Sequence, residues 1–167
     1  MIVSNSGGVA VRPVMATRMA MNRSPAFQAW LDRYVAAWKS YDPTQIGDLF
    51  SEDAEYRYHP EDEPVAGRAA IVESWLDGPD PVGSYDAHYE PLAIDGEAHV
   101  ARGWSRYFGA DGEMRDEYWN IYLIRFDDAG QAASFTEWWI QDRACARRTR
   151  EEAVAKALAD AGVNAAG

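Results

Sequence analysis

The sequence predicts an α+β domain in which three short N-terminal helices close one face of a cone-shaped, strongly curved antiparallel sheet and leave a pocket between the two layers. Three observations support this fold class. Apolar residues recur at the helical period between Ser24 and Leu76. After Gly83 the period changes to that of strands, and turn signals divide the rest into hairpins. Helices that precede strands in this way are typical of α+β rather than βαβ folds.

The first helix is predicted to begin at Ser24-Pro25, because a hydroxyl cap followed by proline is a strong helix start. Its residues recur three and four apart in a wide apolar stripe that comprises Phe27, Trp30, Leu31, Tyr34, Val35 and Trp38. This pattern predicts one amphipathic helix whose aromatic side faces the sheet.

The second and third helices have equally clear boundaries. Asp42 is the predicted cap of the second, Pro43 its first residue and Gln45 the partner in a capping-box-like pattern. Its inward residues are predicted to be Ile46, Leu49 and Phe50. The third helix is predicted over about residues 68–76, with Ile71 and Trp75 inward and Gly78-Pro79 beyond its end.

Strands are predicted next, over residues 84–94, 97–108, 113–127 and 131–141, which are rich in Tyr, Trp, Ile and Phe. The turns between them contain Asp-Gly or a longer Asp-to-Gly segment, so the strands should form a meander. A shorter strand over residues 54–60 precedes the third helix and is stopped by proline. A final helix is predicted over residues 149–161, with Thr149 and Glu152 as a weak capping box.

Composition excludes some functions. A net charge of −11 argues against a nucleic-acid partner, which requires clustered Lys and Arg. Cys145, the single cysteine, excludes an intramolecular disulfide, and its surroundings resemble an exposed tail rather than a reactive-thiol site. No stretch approaches the roughly 20 apolar residues of a membrane span. Residues 1–23 are interpreted as a flexible extension without a secretory signal, so a cytoplasmic location is expected.

The order of elements resembles the nuclear transport factor 2-like superfamily, in particular its SnoaL-like and ketosteroid-isomerase-like members. The segments that carry the resemblance are Phe27 to Trp38, Asp42-Pro43 to Ala54, Tyr56 to Pro60, Gly67 to Ile71, and Phe126 to Trp139. The resemblance covers about residues 24–142, and residues 143–167 form a tail outside it that is expected to be partly helical. It implies an apolar cavity and a homodimer packed through the outer face of the sheet. It does not imply a reaction, because this scaffold hosts isomerases, dehydratases, hydrolases, cyclases and binding proteins.

Glu137 is the first candidate for chemistry. It lies within an aromatic strand, where a carboxylate is costly to bury unless it is paired. The epoxide hydrolases of the superfamily have a catalytic acid at the matching place, and burial would raise the pKa of this group toward that of a general acid or base. The alternative is a structural salt bridge, for example to Arg106 on a neighbouring strand.

His59 is the second candidate. In ketosteroid isomerases the residue before the matching proline is the carboxylate base, and imidazole also exchanges protons near neutral pH. The alternative is a histidine that is hydrogen-bonded at a strand end. Tyr56 and Tyr58 alternate onto one face beside it and could donate hydrogen bonds, although tyrosines in such positions are commonly core residues. The residues that match the arginine and aspartate of the epoxide hydrolases are about Trp104 and Arg106, so that set of catalytic residues is absent.

The ligand-binding walls are predicted from the aromatic residues of both layers, together with one amide: Trp30, Tyr34, Trp38, Trp75, Trp104, Trp119, Asn120 and Trp139. Asp116, Tyr118 and Asn120 share one face of their strand, but the sequence leaves open whether that face meets the cavity or a dimer partner. His88 and His99 are too few for a metal site, and neither a metal nor a cofactor is predicted.

Two functional hypotheses follow. The first is a cofactor-free enzyme that moves a proton on a small apolar substrate, with His59 and Glu137 as base and acid and Arg106 as an orienting group. The second is a non-catalytic binding or dimerisation module with the same pocket. An open cavity reached by both His59 and Glu137 would favour the enzyme, and a cavity filled by large aromatics would favour the module.

Overall fold

Capping residues set the starts of the helices in the computed structural model, which describes residues 24–160. Ser24 Oγ accepts a hydrogen bond from the Phe27 amide at the start of α1 (Pro25–Ser40). Asp42 Oδ1 accepts from the amides of residues 44 and 45 at the start of α2 (Pro43–Gly47). The third helix, α3, spans Arg68–Leu76. The three predicted helices are confirmed with two differences. The second ends at Gly47, before the predicted inward residues Leu49 and Phe50, and the Gln45 side chain pairs with Ser40 instead of completing a capping box.

The sheet has six strands in the order β2-β1-β6-β5-β4-β3 and is curved without closing. In chain order the strands are β1 (Phe50–Arg57), β2 (Val65–Ala66), β3 (Tyr85–Asp95), β4 (Ala98–Phe108), β5 (Met114–Phe126) and β6 (Ala132–Gln141). Consecutive pairs from β3 to β6 are antiparallel, as the turn signals predict.

The first long strand differs from the sequence prediction in its start and its direction. It begins at Phe50 rather than at residue 54, because the Leu49 carbonyl already accepts a hydrogen bond from the Ala132 amide and draws the chain into the sheet. It runs parallel to β6, with Tyr56 beside Phe135, so the sheet is mixed rather than wholly antiparallel. A parallel neighbour requires a crossover, and the residues between β1 and β6, including α3, supply it.

The core lies between α1 and the inner face of the sheet. Phe27, Trp30, Leu31, Tyr34 and Ala37 of α1 are all buried against it. The rings of Tyr56 and Phe135 stack at 4.7 Å across the parallel strand pair. The core is therefore aromatic from both layers, and large rings set the spacing between helix and sheet.

The C-terminal helix begins earlier than its sequence pattern suggests. It spans Arg143–Asp160 (α4), and Asp142 caps it by accepting a hydrogen bond from the Ala144 amide at 2.8 Å. Thr149 lies inside the helix and donates to the Cys145 carbonyl, so the predicted capping box at Thr149 is wrong. Cys145 is only 2% exposed, which corrects the expectation of an exposed tail.

The predicted extension over residues 1–23 and the last seven residues, 161–167, lie outside the described part of the chain. Among the helices between residues 24 and 160, none combines the length and the apolar character that crossing a bilayer would demand.

Candidate active site cavity

A cavity of about 490 Å³ lies between α1, α3 and the inner face of the sheet. A second compartment of about 510 Å³ adjoins it, and both are lined by Tyr58, Asp80, Ser105, Tyr107 and Glu137. These volumes lie in the range of small-molecule sites. Glu137 is thus at the boundary of the two compartments.

Strand register decides which residues of β5 line this space. Ser105 pairs with Tyr118 and Tyr122 pairs with Glu137, so alternate residues of β5 face the helices. Asp116, Tyr118 and Asn120 line the second compartment on this face. The sequence left open whether this face of β5 lines the cavity or contacts a dimer partner, and in the structure it lines the cavity.

Glu137 on β6 is the acidic group with the most altered environment. Burial raises its pKa from the usual value of 4.5 to about 7, and a hydrogen bond from Asn120 opposes that rise. The Asn120 amide nitrogen donates to Glu137 Oε1, and Asn120 Oδ1 in turn accepts from Ser105 Oγ at 3.5 Å. No Lys, Arg or His within residues 24–160 forms an ion pair with Glu137. The carboxyl group can therefore exchange a proton near neutral pH.

Several tyrosines line the first compartment together with this carboxyl group. Burial raises the pKa of Tyr34, Tyr56 and Tyr122 well above the usual value, and the nearby Glu137 charge adds to each rise. The hydroxyls of Tyr34 and Tyr56 hydrogen-bond to each other at 3.0 Å, and Tyr58 pairs with Ser74 at 2.7 Å. These tyrosines stay protonated at neutral pH, so their hydroxyls are neutral hydrogen-bond donors in the cavity.

Asp80 joins the wall of the cavity to the end of α1. Its Oδ2 accepts hydrogen bonds from Trp38 Nε1 and from the Tyr41 hydroxyl, both at 3.2 Å. Tyr41 is the one non-glycine residue in the described chain with a positive φ, 48°, at the C-cap of α1. This left-handed turn places the phenol where Asp80 can accept from it, and residues held in such conformations often cluster at functional sites.

Trp75 on α3 lines the first compartment and is 8% exposed. Its Nε1 is the buried side-chain polar atom that lacks a hydrogen-bond partner among the described residues. Leaving a buried donor unpaired costs about 1–3 kcal/mol, so such an atom calls for an explanation. An acceptor oxygen on a bound molecule would supply one.

The structure brings together many of the predicted site residues. Those that line one or both compartments are Tyr34, Trp38, Tyr56, Tyr58, Trp75, Asn120, Glu137 and Trp139. His59 is not among them: it lies two residues beyond β1, 3.6 Å from Glu61 Oε1, with its ring 6.0 Å from the Trp139 ring. Tyr58 lines both compartments, whereas His59 lines neither and only neighbours Trp139, which lines the second.

Arg106 lies on the outer face of the sheet. Its Nε donates to Glu117 Oε1 at 2.7 Å, and its guanidinium lies 4.0 Å from the centre of the Trp104 ring. The suggested pair with Glu137 does not form, because β5 lies between β4 and β6 and because Ser105, not Arg106, is the inward residue. Trp104 and its register partner Trp119 share this outer face, so neither lines the cavity.

Trp30 is the other correction. It is 2% exposed and donates from Nε1 to the Leu49 carbonyl at 3.2 Å, so it belongs to the core below the cavity. Sequence reasoning missed several lining residues, namely Tyr41, Asp80, Tyr89, Ser105, Tyr107 and Tyr122. The strand residues among them lie on the same face as every second residue of their strand, so they could have been identified from the sequence once one inward residue of each strand was known. No cluster of metal-ligating side chains occurs within residues 24–160.

Comparison with known proteins agrees with this architecture. The family model for the SnoaL-like domain matches residues 31–135. No curated protein sequence matches the chain. Solved structures with the same fold include NTF2-like proteins of unknown function from Burkholderia xenovorans LB400 and from Cytophaga hutchinsonii ATCC 33406. A third, from Kribbella flavida DSM 17836, is described provisionally as a ketosteroid isomerase.

The likeness to these structures is one of fold. The Burkholderia protein is 14% identical, with a TM-score of 0.52 over 70% of this chain and 84% of that one. The Cytophaga protein is 16% identical, with a TM-score of 0.51 over 68% and 98%. The Kribbella protein is 19% identical, with a TM-score of 0.53 over 72% and 82%.

Proposed function

The chain belongs to the SnoaL-like domain family, and from this premise we propose that it binds a small, largely apolar molecule in the cavity and moves a proton on it with Glu137, without a cofactor. The observation that carries the proposal is the carboxyl group of Glu137, which lines both compartments with a pKa of about 7. A group that titrates near the working pH is suited to both halves of a proton transfer.

The other lining residues suit the same chemistry. As a carboxylate, Glu137 takes a proton from the substrate, and as a carboxylic acid it returns that proton to another atom. Negative charge that develops on a substrate oxygen is stabilised by neutral hydrogen-bond donors already in place. Tyr122 is the register partner of Glu137, and Tyr58 and Tyr107 line both compartments with it. Isomerisation, dehydration, cyclisation and hydrolysis all use such a step.

The second candidate is a binding protein without catalysis. One observation favours it: His59, the expected second proton-transfer group, lies outside the lining residues, so Glu137 has no imidazole partner there. In that case the tyrosines and Asn120 would orient a ligand, and Glu137 would only accept a hydrogen bond from it. The two candidates differ in turnover, not in the place where the molecule binds.

We also propose that two copies associate through the outer face of the sheet. The outer apolar face consists of Trp104, Trp119, Ile121, Trp138 and Ile140, which register places side by side on β4, β5 and β6. Trp119 is 52% exposed and Ile140 72% exposed in the single chain. Contiguous apolar surface of this kind commonly marks a protein interface. A cytoplasmic location remains part of the same proposal.

The decisive experiment is a comparison of Glu137→Gln with the wild-type protein on a panel of epoxides, enones and hydroxylated polyketides. Loss of the carboxyl group should lower kcat by at least about 100-fold, the usual contribution of a general acid or base. The matched control is Glu97→Gln, since Glu97 is exposed in the β3–β4 turn and lines neither compartment. Equal turnover in Glu137→Gln and wild type would refute a catalytic Glu137. Binding by both proteins with turnover by neither would establish the binding protein instead.

A further inference from the structure

The charges that line the cavity are all of one sign. Asp77, Asp80, Asp116 and Glu137 are among the lining residues of the two compartments, whereas no Lys, Arg or His is. An aromatic cleft with one sign of charge concentrates the field inside it and attracts the opposite charge. The cavity therefore disfavours carboxylates, phosphates and sulfates before any particular contact is considered.

The acids of the cavity are bound only by neutral donors. Asp80 accepts from Trp38 and Tyr41, Asp116 accepts from Gln141 at 2.7 Å, and Glu137 accepts from Asn120. In the part of the chain that the structure describes, none of these carboxyl groups forms an ion pair. Their charge is thus left without a cation from the protein itself.

The opposite face of the same sheet is arranged differently. Asp86 of β3 and Glu117 of β5 lie on this outer face, and Asp86 is paired with Lys39 and Glu117 with Arg106, at 2.6 and 2.7 Å. Glu90 is paired with Arg102 in the same way. These three outer acids are therefore neutralised by basic side chains, whereas the acids that line the cavity are not.

Two further features point to a ligand. The unpartnered indole N–H of Trp75 lines the first compartment, independently of the acids. The wall of the cavity also contains the rings of Trp38, Tyr58, Tyr107 and Trp139. Aromatic faces attract organic cations, most strongly where water is excluded.

We infer that the ligand of this cavity is an organic cation that also carries an acceptor atom for the Trp75 N–H: an amine protonated at neutral pH, or a quaternary ammonium group, on an aromatic or aliphatic frame. The frame packs against the aromatic wall, and the cationic nitrogen lies among Asp80, Asp116 and Glu137. This inference rests on the proposed use of the cavity and names the class of molecule that enters it. It does not depend on whether Glu137 performs catalysis.

A matched ligand series tests the inference. Phenethylamine, 2-phenylethanol and 3-phenylpropanoate share one frame and carry a cationic, a neutral and an anionic end. Their binding to the full chain at pH 7.5 is measured by calorimetry and by tryptophan fluorescence, at low and at high salt. The amine should bind at least about tenfold more tightly than the alcohol. Its advantage should shrink in salt, and the carboxylate should bind most weakly.

Charge-removing variants locate the effect. Asp80→Asn and the double variant Asp80→Asn/Asp116→Asn should each reduce the amine's advantage, because an amide keeps the acceptor oxygen but loses the charge. Asp128→Asn is the matched control, since Asp128 is exposed in the β5–β6 turn, away from the lining residues. Equal affinity for amine and alcohol, or an amine advantage that both Asp80→Asn and the double variant leave intact, would overturn the inference.

The outcomes also separate this inference from the proposed function. Tight amine binding with turnover of neither the amines nor the substrate panel supports the cationic ligand and removes the catalytic proposal. Turnover of neutral substrates that depends on Glu137, with no preference for amines, supports catalysis and removes the cationic ligand.

Discussion

Asn120 on β5 donates a hydrogen bond from Nδ2 to Oε1 of Glu137 on the neighbouring strand β6. The two residues are diagonal neighbours, because Tyr122 is the register partner of Glu137 and Trp139 that of Asn120. This bond lowers the pKa of Glu137 while burial raises it, and burial has the larger effect. The ionisation of the candidate catalytic group is thus set by two opposing contributions that can be changed separately.

Removal of the amide should raise the pKa of Glu137 above its value of about 7. Asn120→Leu keeps approximately the same size but deletes the donor to the carboxylate. A hydrogen bond to a charged group is worth about 1.5–3 kcal/mol, so the rise should be about one to two pH units. Carbon-13 NMR titration of labelled glutamate measures it. Ser105→Ala, which affects Glu137 only through Asn120, should produce a smaller change, and an unchanged pKa in Asn120→Leu would contradict the assignment.

Stability should fall as pH rises from about 4.5 to about 7 on account of Glu137. Because its folded-state pKa is raised, the folded state holds the proton more tightly than the unfolded state does in this range, and ionisation then disfavours folding. Glu137→Gln should remove this contribution and stabilise the protein at pH 8 by about 3 kcal/mol at most. Urea unfolding at pH 4.5 and pH 8 measures the difference. Equal pH dependence in variant and wild type would contradict it.

The buried hydroxyl pair of Tyr34 and Tyr56, 3.0 Å apart, should behave as a unit. Either single change to Phe leaves the other hydroxyl without its partner and should cost about 1–3 kcal/mol of unfolding free energy. The double variant Tyr34→Phe/Tyr56→Phe should cost clearly less than the sum of the two, since no orphaned hydroxyl remains. Denaturant unfolding of all four proteins gives the coupling energy, and strict additivity would show that the pair contributes nothing.

Gly103 should tolerate no side chain. A Cβ there would lie 2.1 Å from the His88 carbonyl oxygen and 2.2 Å from Cδ1 of the Tyr89 ring. Gly103→Ala should destabilise the fold by about 2 kcal/mol or more and displace Tyr89 from the cavity wall. Gly47→Ala is the control, because a Cβ at that position meets its first neighbour at 3.7 Å. Similar unfolding midpoints for the two variants would contradict the close packing at Gly103.

A charge on the outer apolar face should separate the proposed dimer. Ile140→Glu introduces a carboxylate at the most exposed residue of that face, 72% exposed in the single chain. Burial of that charge in an interface is costly, so light scattering should show a monomer where the wild type shows a dimer. Val82→Glu is the control: Val82 is an exposed loop residue outside that face, so this change should leave the dimer intact. A wild-type monomer, or a dimer that survives Ile140→Glu, would refute this interface.

Local signals predicted most of the fold. Ser24 and Asp42 cap the helices that their positions indicated, and the Asp-Gly turns separate strands within one or two residues of the expected ranges. Two departures had no local signal. Phe50 suits a helix face as well as a strand, and only the hydrogen bond between Leu49 and Ala132 places it in the sheet. The direction of β1 likewise depends on a partner far along the chain.

The candidate site was predictable to the extent that it follows alternation. Tyr56, Asn120 and Glu137 line the cavity because each lies at an inward position of its strand, and Tyr58, one residue beyond β1, lines it as well. Arg106 was misplaced because alternation alone gives two faces without saying which is inner, and Ser105 proved to be the inward residue. Asp80 lies in a loop, where no periodicity exists. Its role emerges only from the three-dimensional contact with Tyr41.

The parallel pairing of β1 with β6 has a consequence for how the protein is made. Tyr56 pairs with Val65 of β2 early in synthesis, but its partner on the other side, Phe135, is synthesised much later. The strand β1 therefore cannot join β6, and through it the rest of the sheet, while the hairpins are still emerging from the ribosome. Contacts between distant parts of a chain slow folding, because the loop entropy is lost before the contact is gained. Until β6 is in place, the inner face of the sheet against which the aromatic side of α1 packs is incomplete. We expect the domain to assemble in one late step after β6 is released, rather than progressively from its N-terminus.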